Sequence, residues 1–166
     1  LTPALLDALR AQEVPVVNPA AQDAMQALVS RIRSAGDSIG GVVECAVLGA
    51  PAGLGSPMFD AVESRMSAFL FAIPAVRGVE FGAGFGAAFM QGSEANDEFF
   101  MDGGTVRTRT NNHGGALGGI TTGMPILFRT AFKPTPSIFK EQRTVDLARG
   151  KDTTLTIKGR HDPCIA

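Results

Sequence analysis

The stretch NNHGGALGGITTGMPILFRTAFKPTPS, residues 111–137, places five glycines within ten positions and then continues into an apolar segment. It ends with Lys133 followed closely by Thr135 and Ser137. Glycine lets the main chain approach another group closely, so the stretch is either a flexible connector or a backbone that lies against a ligand. The apolar residues 124–132 predict a strand that leads from the glycines to the lysine.

The residues on either side predict two helices and further strands. Helical spacing of apolar residues, a capping Asn18 and a closing Gly36 indicate a helix over residues 18–36. A second helix is predicted to open at Ser56 and Pro57 and to close at Pro74. Apolar runs bounded by glycine or polar residues predict strands at 38–50, 77–91 and 153–158. Because helices and strands do not alternate strictly, we predict an α+β layer fold, as a single domain over residues 1–166.

A polar segment, residues 92–112, separates these elements. At roughly 20 residues, it is longer than compact domains usually tolerate without a functional reason. The segment is therefore predicted to be a lid or a flap that covers a cofactor.

The composition argues against several classes of protein. With 166 residues, 45% of them hydrophobic, the chain can bury a substantial core. The net charge of -1 comes from charges spread without long runs, so no nucleic-acid partner is expected. No apolar stretch approaches the roughly 20 residues that span a bilayer, and residues 1–12 lack the pattern of a signal peptide. These features predict a cytoplasmic protein without a membrane partner.

The two cysteines and the chain ends complete this picture. Cys45 and Cys164 lack the spacing of a disulfide framework or zinc site, so we predict reduced thiols and no metal. The chain begins without methionine and shows no solvated tail at either end, which favours a piece of a longer protein.

Two short motifs carry charge suited to a ligand. KPTPS, residues 133–137, combines an ammonium and two hydroxyls on a backbone stiffened by proline, which suits a phosphate monoester. The alternative is a strand exit whose lysine faces water. KGRHDPC, residues 158–164, places Arg160 near Asp162. A guanidinium can bind a carboxylate or phosphate through two hydrogen bonds, and a carboxylate beside it can accept or relay a proton. The alternative is a surface ion pair, and His113 is equally open to both interpretations.

Other enzyme motifs are not found. GAGFGA, residues 82–87, opens no long helix, which argues against a dinucleotide fold. The one Gly-Lys pair is followed by Asp152, so it is not the phosphate loop of an ATPase. Two histidines and no G-x-S-x-G elbow make a hydrolase a poor fit.

Five blocks in order resemble the carboxy-terminal half of the chorismate synthases. They are GDSIGGVVECAVLGAPAGLGSPMFD (36–60), AVRGVEFGAGF (75–85), NNHGGALGGITTGMPI (111–126), KPTPSI (133–138) and KGRHDPC (158–164). Order and spacing agree over nearly the whole chain from about residue 18. The resemblance implies an α+β sandwich, with helices packed between antiparallel sheets, in a cytoplasmic homotetramer.

The resemblance also implies a reaction. The family converts 5-enolpyruvylshikimate 3-phosphate to chorismate and phosphate by a 1,4-elimination, a carbon–oxygen lyase step of the shikimate pathway toward aromatic amino acids. It requires reduced FMN although the reaction is redox neutral, and NADPH is a possible reductant. Loss of an allylic phosphate and a carbon-bound hydrogen calls for an electron-rich flavin, fixed cations and little water.

Matching the family's motifs residue by residue yields the expected site. Its flavin-binding positions fall on Pro74, Ala75, Gly118, Lys133, Pro134, Thr135, Pro136, Ser137 and Arg160. Arg160 is also expected beside the substrate, and Asp162 is expected to be catalytic in proton transfer near the flavin. Many relatives are expected to carry Asn where this chain has Pro74, which removes one side-chain hydrogen bond.

The family's active-site histidines, substrate-gripping arginines and serine-rich flavin segment belong to the amino-terminal half, which this sequence lacks. The helix that follows the Arg-His-Asp triplet in the family is also missing. The resemblance therefore predicts that the chain alone has no turnover and at best weak flavin affinity. The alternative is an inactive scaffold or oligomerisation fragment that binds no flavin.

Overall fold

The computed structural model describes residues 2–159, 162–164 and 166. The α-helices are α1 (Pro3–Arg10), α2 (Pro19–Ser34), α3 (Val62–Ala72) and α4 (Gly92–Ala95). The strands are β1 (Gly41–Val47), β2 (Val76–Phe81), β3 (Phe99–Asp102), β4 (Thr105–Thr108), β5 (Ala116–Leu117), β6 (Ile120–Thr121), β7 (Ile126–Phe132), β8 (Gln142–Asp146) and β9 (Lys151–Leu155). Short 3₁₀ turns occupy Met58–Asp60 and Gly84–Phe89.

The chain divides into two compact units. One contains residues 1–41 and 133–166, and the other contains residues 42–132. The pairs β2–β7, β3–β4, β5–β6 and β8–β9 are all antiparallel. Helices combined with antiparallel sheets confirm the α+β class, whereas a single domain over residues 1–166 stays a prediction.

The core of the unit 42–132 lies on one face of a three-stranded sheet with the order β1-β7-β2. Alternate residues of β7 point to this face, where Phe128 is 8% exposed and Thr130 is 3% exposed. The Phe128 ring lies 5.9 Å from that of Phe81, its partner across the strand pair. The Thr130 hydroxyl donates to the carbonyl of Val43 at 3.3 Å, so it is buried with a partner.

The unit formed by residues 1–41 and 133–166 contains α1, α2 and the hairpin β8–β9. Helix α2 confirms the predicted helix, because the Asn18 side chain accepts from the Ala20 N–H at 3.0 Å and Pro19 occupies the first turn. Strand β9 ends at Leu155 and does not reach Lys158, so the last predicted strand was correct in type but displaced along the chain.

Three further predictions need correction. Helix α3 begins at Val62, not at Ser56, because Pro57 leads into the 3₁₀ turn Met58–Asp60. The strand predicted over 77–91 ends at Phe81, where Gly82 and Gly84 turn the chain into a 3₁₀ segment. The polar segment 92–112 is not a structureless loop, since it contains α4 and the hairpin β3–β4.

No helix within residues 2–159, 162–164 and 166 combines the length and the hydropathy needed to cross a membrane.

The turn after α3 holds a non-glycine residue in an unfavourable conformation. The Val76 N–H donates to the Ile73 carbonyl at 3.3 Å, and Ala75 within this turn has a φ of 72°. A Cβ atom disfavours positive φ, and such residues cost of order 1–3 kcal/mol each. The turn therefore carries local strain at a position expected to bind the cofactor.

We expect Ala75→Gly to raise the free energy of unfolding by about 0.5–1 kcal/mol, because glycine relieves the strain but adds entropy to the unfolded chain. Ala68→Gly, in the exposed middle of α3, is the matched control and should lower the free energy of unfolding by about 1 kcal/mol. Urea denaturation of both variants measures the difference. Equal destabilisation by the two substitutions would show that the turn is unstrained.

Candidate functional site

The glycines of residues 111–123 differ in what surrounds them. A Cβ added to Gly114 would lie 2.7 Å from the Leu127 carbonyl oxygen, and one on Gly115 would lie 2.5 Å from the Pro125 carbonyl oxygen. At Gly119 it would lie 2.7 Å from the Ser56 carbonyl oxygen. At Gly118 it would meet no atom of the described residues within 4 Å. Packing against the protein's own main chain therefore explains Gly114, Gly115 and Gly119, whereas Gly118 faces open space.

Gly118 and Gly119 form the two-residue turn between β5 and β6. Their φ angles are 59° and 86°, the pair of positive values that a type I′ hairpin turn requires. The Val62 N–H, at the start of α3, donates to the Gly119 carbonyl at 3.0 Å. This bond fixes the glycine turn against the first residue of a helix.

The start of the glycine stretch is held by the buried carboxylate of Asp97, which is 8% exposed. One carboxylate oxygen accepts from the Thr110 hydroxyl and the Asn112 N–H, each at 2.7 Å. The other accepts from the His113 N–H at 3.0 Å. Burial raises the pKa of Asp97, but these three hydrogen bonds and the charge of His113 outweigh it, so the net pKa lies below the ordinary value of 3.8.

Two asparagines complete this anchoring. The Asn111 side chain donates to the Pro125 carbonyl and accepts from the Gly115 N–H, both at 2.8 Å. The Asn112 side chain donates to the Glu94 carbonyl at 3.0 Å. Residues 111–115 are therefore a fixed backbone and not a flexible connector. His113 takes part through its main-chain N–H.

The sequence reasoning missed Asp97. It lies in a polar segment, where an exposed aspartate is ordinary, and no periodic pattern marks it. The Asn-Asp pair ahead of the apolar Phe99 and Phe100 is a local sign of a turn, but it does not reveal partners 13 to 16 residues away.

Pro74 and Ala75 lie in the turn that follows α3, within the same unit as Gly118. Pro74 is exposed and Ala75 is half-buried. Pro74 and Ala75 are the two central residues of the turn closed by the Val76 N–H and the Ile73 carbonyl.

The segment Lys133–Ser137 is held by the residues that follow α2. The Ser38 hydroxyl donates to the Thr135 carbonyl at 2.6 Å, and the Phe139 N–H donates to the Gly36 carbonyl at 3.0 Å. Asp37 and Lys140 form an ion pair at 2.6 Å. The hydrogen bond from Lys140 is the main cause that holds the pKa of Asp37 below its ordinary value.

The same residues also hold the segment that carries Asp162. The Ile39 N–H donates to the Pro163 carbonyl at 2.8 Å, next to Asp162. Ser137 and Asp162 line one crevice of about 20 Å³, together with Ser38 and Arg33. Such a volume holds one water molecule or one ligand oxygen, so the crevice is not itself the pocket of a ring system.

Several polar groups of the Lys133–Ser137 segment, and the Asp162 side chain, have little or no bonding within the described residues. The Lys133 ammonium makes one long hydrogen bond, to the Pro134 carbonyl at 3.4 Å. Within residues 2–159, 162–164 and 166, the hydroxyls of Thr135 and Ser137 and the Asp162 carboxylate have no hydrogen-bond partner. Arg160, expected to bind both cofactor and substrate, lies outside the described residues, as does His161.

The structure thus brings two of the expected site residues together, Ser137 and Asp162. It places Gly118 with the Pro74–Ala75 turn in the other compact unit. A wider concavity of about 720 Å³ lies across the hairpin β8–β9, and none of the expected site residues that the structure describes lines it.

The described fold and site define an α+β protein of antiparallel sheets, with a lysine- and hydroxyl-bearing segment beside an aspartate. Comparison with known proteins narrows this class. The family model described as "Chorismate synthase" matches residues 4–166. The chain belongs to the chorismate synthase family.

Individual relatives agree. The chain is 55% identical over 143 residues to the chorismate synthase of Thermococcus kodakarensis, and this match covers 86% of this chain and 40% of the relative. It is 53% identical over 146 residues to the chorismate synthase of Dehalococcoides mccartyi, and this match covers 88% of this chain and 40% of the relative. The chain thus spans about two fifths of the length of the curated relatives it matches.

A solved structure also matches. The crystal structure of a chorismate synthase superposes with a TM-score of 0.73 at 35% identity, over 79% of this chain and 40% of that one. This agreement confirms the family resemblance and the α+β fold predicted from the sequence.

We expect Asp97→Asn to lower the free energy of unfolding at pH 7 by about 2–3 kcal/mol, because the amide cannot accept from all three donors. The folded pKa of Asp97 is lowered, so its stabilisation is present above pH 3.8 and is lost as the pH falls through the folded pKa. The difference in free energy of unfolding between wild type and Asp97→Asn should therefore become smaller in acid.

Urea denaturation between pH 7 and pH 2.5 measures this gap. Asp102→Asn is the control, since Asp102 is exposed and pairs with Arg107 at 2.9 Å on the hairpin surface. It should change stability by less than about 1 kcal/mol. A gap for Asp97→Asn that is independent of pH would contradict the role assigned to the carboxylate.

Proposed function

We propose that the protein carrying this chain is a lyase that converts 5-enolpyruvylshikimate 3-phosphate to chorismate and phosphate, and that this chain supplies part of its FMN pocket. Family membership supports the reaction. The observation that supports the pocket is the anchoring by residues 36–39. They hold the Lys133–Ser137 segment and the segment that carries Asp162, so that Ser137 and Asp162 line one crevice.

The residues present fit a flavin mononucleotide. Lys133, Thr135 and Ser137 offer an ammonium and two hydroxyls without strong partners in the described chain, as a phosphate monoester dianion requires. The open space beside Gly118 admits a group that a side chain at this position would displace. Pro74, Ala75, Pro134, Pro136 and Arg160 complete the set of residues proposed to bind the cofactor.

Each group has a proposed task. Lys133 and the two hydroxyls hold the phosphate, and the prolines keep this segment extended, which lowers the entropic cost of binding. The Asp162 carboxylate accepts and returns a proton during the elimination, and Arg160 grips the substrate. Reduced FMN, when bound, supplies an electron-rich ring system to a reaction that is redox neutral overall.

The remaining properties are proposed from the family alone. They are a cytoplasmic homotetramer, NADPH as a possible source of electrons for the flavin, and no partner among nucleic acids or membranes. We also propose that the 166-residue chain alone has no turnover, because the family's active-site histidines and further arginines are not in its sequence.

An assembly scaffold that binds no flavin is the second candidate. It is favoured by the large apolar side chains that the unit 42–132 exposes, with Phe59 at 89%, Phe85 at 84% and Phe89 at 91%. These surfaces are suited to contact with more protein. Flavin titration separates the two candidates, since a scaffold quenches no flavin fluorescence.

We expect the chain alone to release no phosphate from 5-enolpyruvylshikimate 3-phosphate in the presence of reduced FMN. Mixing it with the complementary amino-terminal half should restore phosphate release, and the Asp162→Asn form of the chain should fail to do so. The measurement is inorganic phosphate over time, with circular dichroism to show folding. A folded complex without activity would count against the proposed reaction.

A second test concerns the open space beside Gly118. Asn-Gly is a preferred pair for a type I′ turn, so Gly118→Asn should keep the turn while it adds a side chain to that space. We expect FMN affinity in the full-length protein to fall by at least about tenfold, a cost of roughly 1.4 kcal/mol. The melting temperature should stay close to that of wild type.

Gly103→Asn is the matched control. Gly103 is the first glycine of the turn between β3 and β4, with a φ of 55°, and no atom of the described part of the chain lies within 4 Å of an added Cβ. No site residue lies there, so FMN affinity should not change. Equal FMN affinity in the two variants would show that the space beside Gly118 is not used by the cofactor.

A further inference from the structure

Arg33 is an exposed cation beside the crevice that holds Ser137 and Asp162. It lies in the last turn of α2, where its carbonyl accepts from the Gly36 N–H at 3.0 Å. No hydrogen bond or ion pair joins its guanidinium to the chain over residues 2–159, 162–164 and 166. Its backbone is therefore fixed while its charge stays uncompensated.

The acids near Arg33 do not neutralise it. Asp37 is paired with Lys140 at 2.6 Å and also accepts from the Ser38 N–H at 2.9 Å. Asp162 lines the same crevice as Arg33, but the two side chains form no ion pair within 4.0 Å. The Ser137 hydroxyl, also without a partner in the described chain, lines this crevice with them.

We propose that Arg33 is a further ligand-binding residue, and that its guanidinium and the Ser137 hydroxyl bind an oxygen of a phosphate monoester beside Asp162. The crevice of about 20 Å³ admits a single oxygen, and a guanidinium presents paired donors that match an oxyanion. This inference rests on the proposed function. The phosphate belongs either to the flavin, to which Ser137 is already assigned, or to the substrate, in which case Ser137 binds the substrate instead, since both ligands are phosphate monoesters.

A basic residue in the last turn of a helix also stabilises the helix by interacting with its dipole. This interaction alone would be a structural explanation for an arginine at position 33. Arg31 separates the two explanations. It lies in the same last turn and is exposed, but it does not line the crevice. Loss of either arginine should remove a similar favourable interaction with the helix dipole and so destabilise α2 to a similar extent, whereas only loss of Arg33 should weaken ligand binding.

The experiment compares Arg33→Ala, Arg33→Lys and Arg31→Ala in the full-length protein that carries this chain. The measurements are the Kd for FMN, the Kd for riboflavin, which lacks the phosphate, and the KM for 5-enolpyruvylshikimate 3-phosphate. Melting temperatures with and without inorganic phosphate complete the set.

We expect Arg33→Ala to weaken one phosphate ligand by about 10- to 100-fold, as loss of a charge-assisted hydrogen bond does. Arg33→Lys should weaken it less, and Arg31→Ala should match wild type. A weaker Kd for FMN with an unchanged Kd for riboflavin identifies the flavin phosphate, whereas a raised KM identifies the substrate phosphate. If Arg33→Ala and Arg31→Ala give equal constants, the proposal is wrong.

The failure of the proposed function has a separate signature. A wild-type protein that neither binds FMN nor turns over the substrate refutes that function. The role of Arg33 is then tested by the change in melting temperature that inorganic phosphate alone produces. A rise in the wild-type melting temperature that Arg33→Ala lacks supports the binding site, and no rise in either protein overturns it.

Discussion

The path of the glycine stretch depends on one buried carboxylate. Asp97 accepts three hydrogen bonds from Thr110, Asn112 and His113, and so fixes where the main chain enters the glycines. From that entry, and with the Asn111 side chain bonded to both Gly115 and Pro125, Gly114 and Gly115 pack against the backbone of β7 and the residue before it. The open position at Gly118 thus depends on an acid that lies far from it in the sequence, together with the hydrogen bond from the Val62 N–H to the Gly119 carbonyl.

The second anchor works without a buried charge. Residues 36–39 follow α2, and they bond to Thr135, Phe139 and Pro163 through one hydroxyl and main-chain groups. These bonds satisfy the backbone of two irregular segments that no strand ladder supports. Because the anchor uses mostly main-chain atoms, the side chains of Lys133, Ser137 and Asp162 remain available to a ligand.

Local signals explain which elements could be predicted from the sequence. Helix α2 has its own cap in Asn18 and its own stop at Gly36, so it was predicted closely. Helix α3 was misplaced because its first N–H is capped by Gly119, a partner 57 residues away that no local pattern reveals. The hairpin β3–β4 was missed although Gly103-Gly104 between two strand-like runs is a known turn signal. At the site, the residues Lys133–Ser137 predicted a segment suited to a phosphate. The sequence could not distinguish Gly118 from the glycines that pack against the protein's own main chain, and it did not reveal Asp97 or Arg33.

The division of the chain into two units has a consequence for its synthesis. The unit 42–132 is continuous, whereas the other unit needs residues 1–41 and 133–166 together. A ribosome that makes the chain from its amino end completes the first of these before Lys133 emerges, so its sheet can form while the other waits for its second segment. The anchor at residues 36–39 then stays without its partners until residues 133–163 have been made, so the segment Lys133–Ser137 and Asp162 take their places only after the unit 42–132 has been completed.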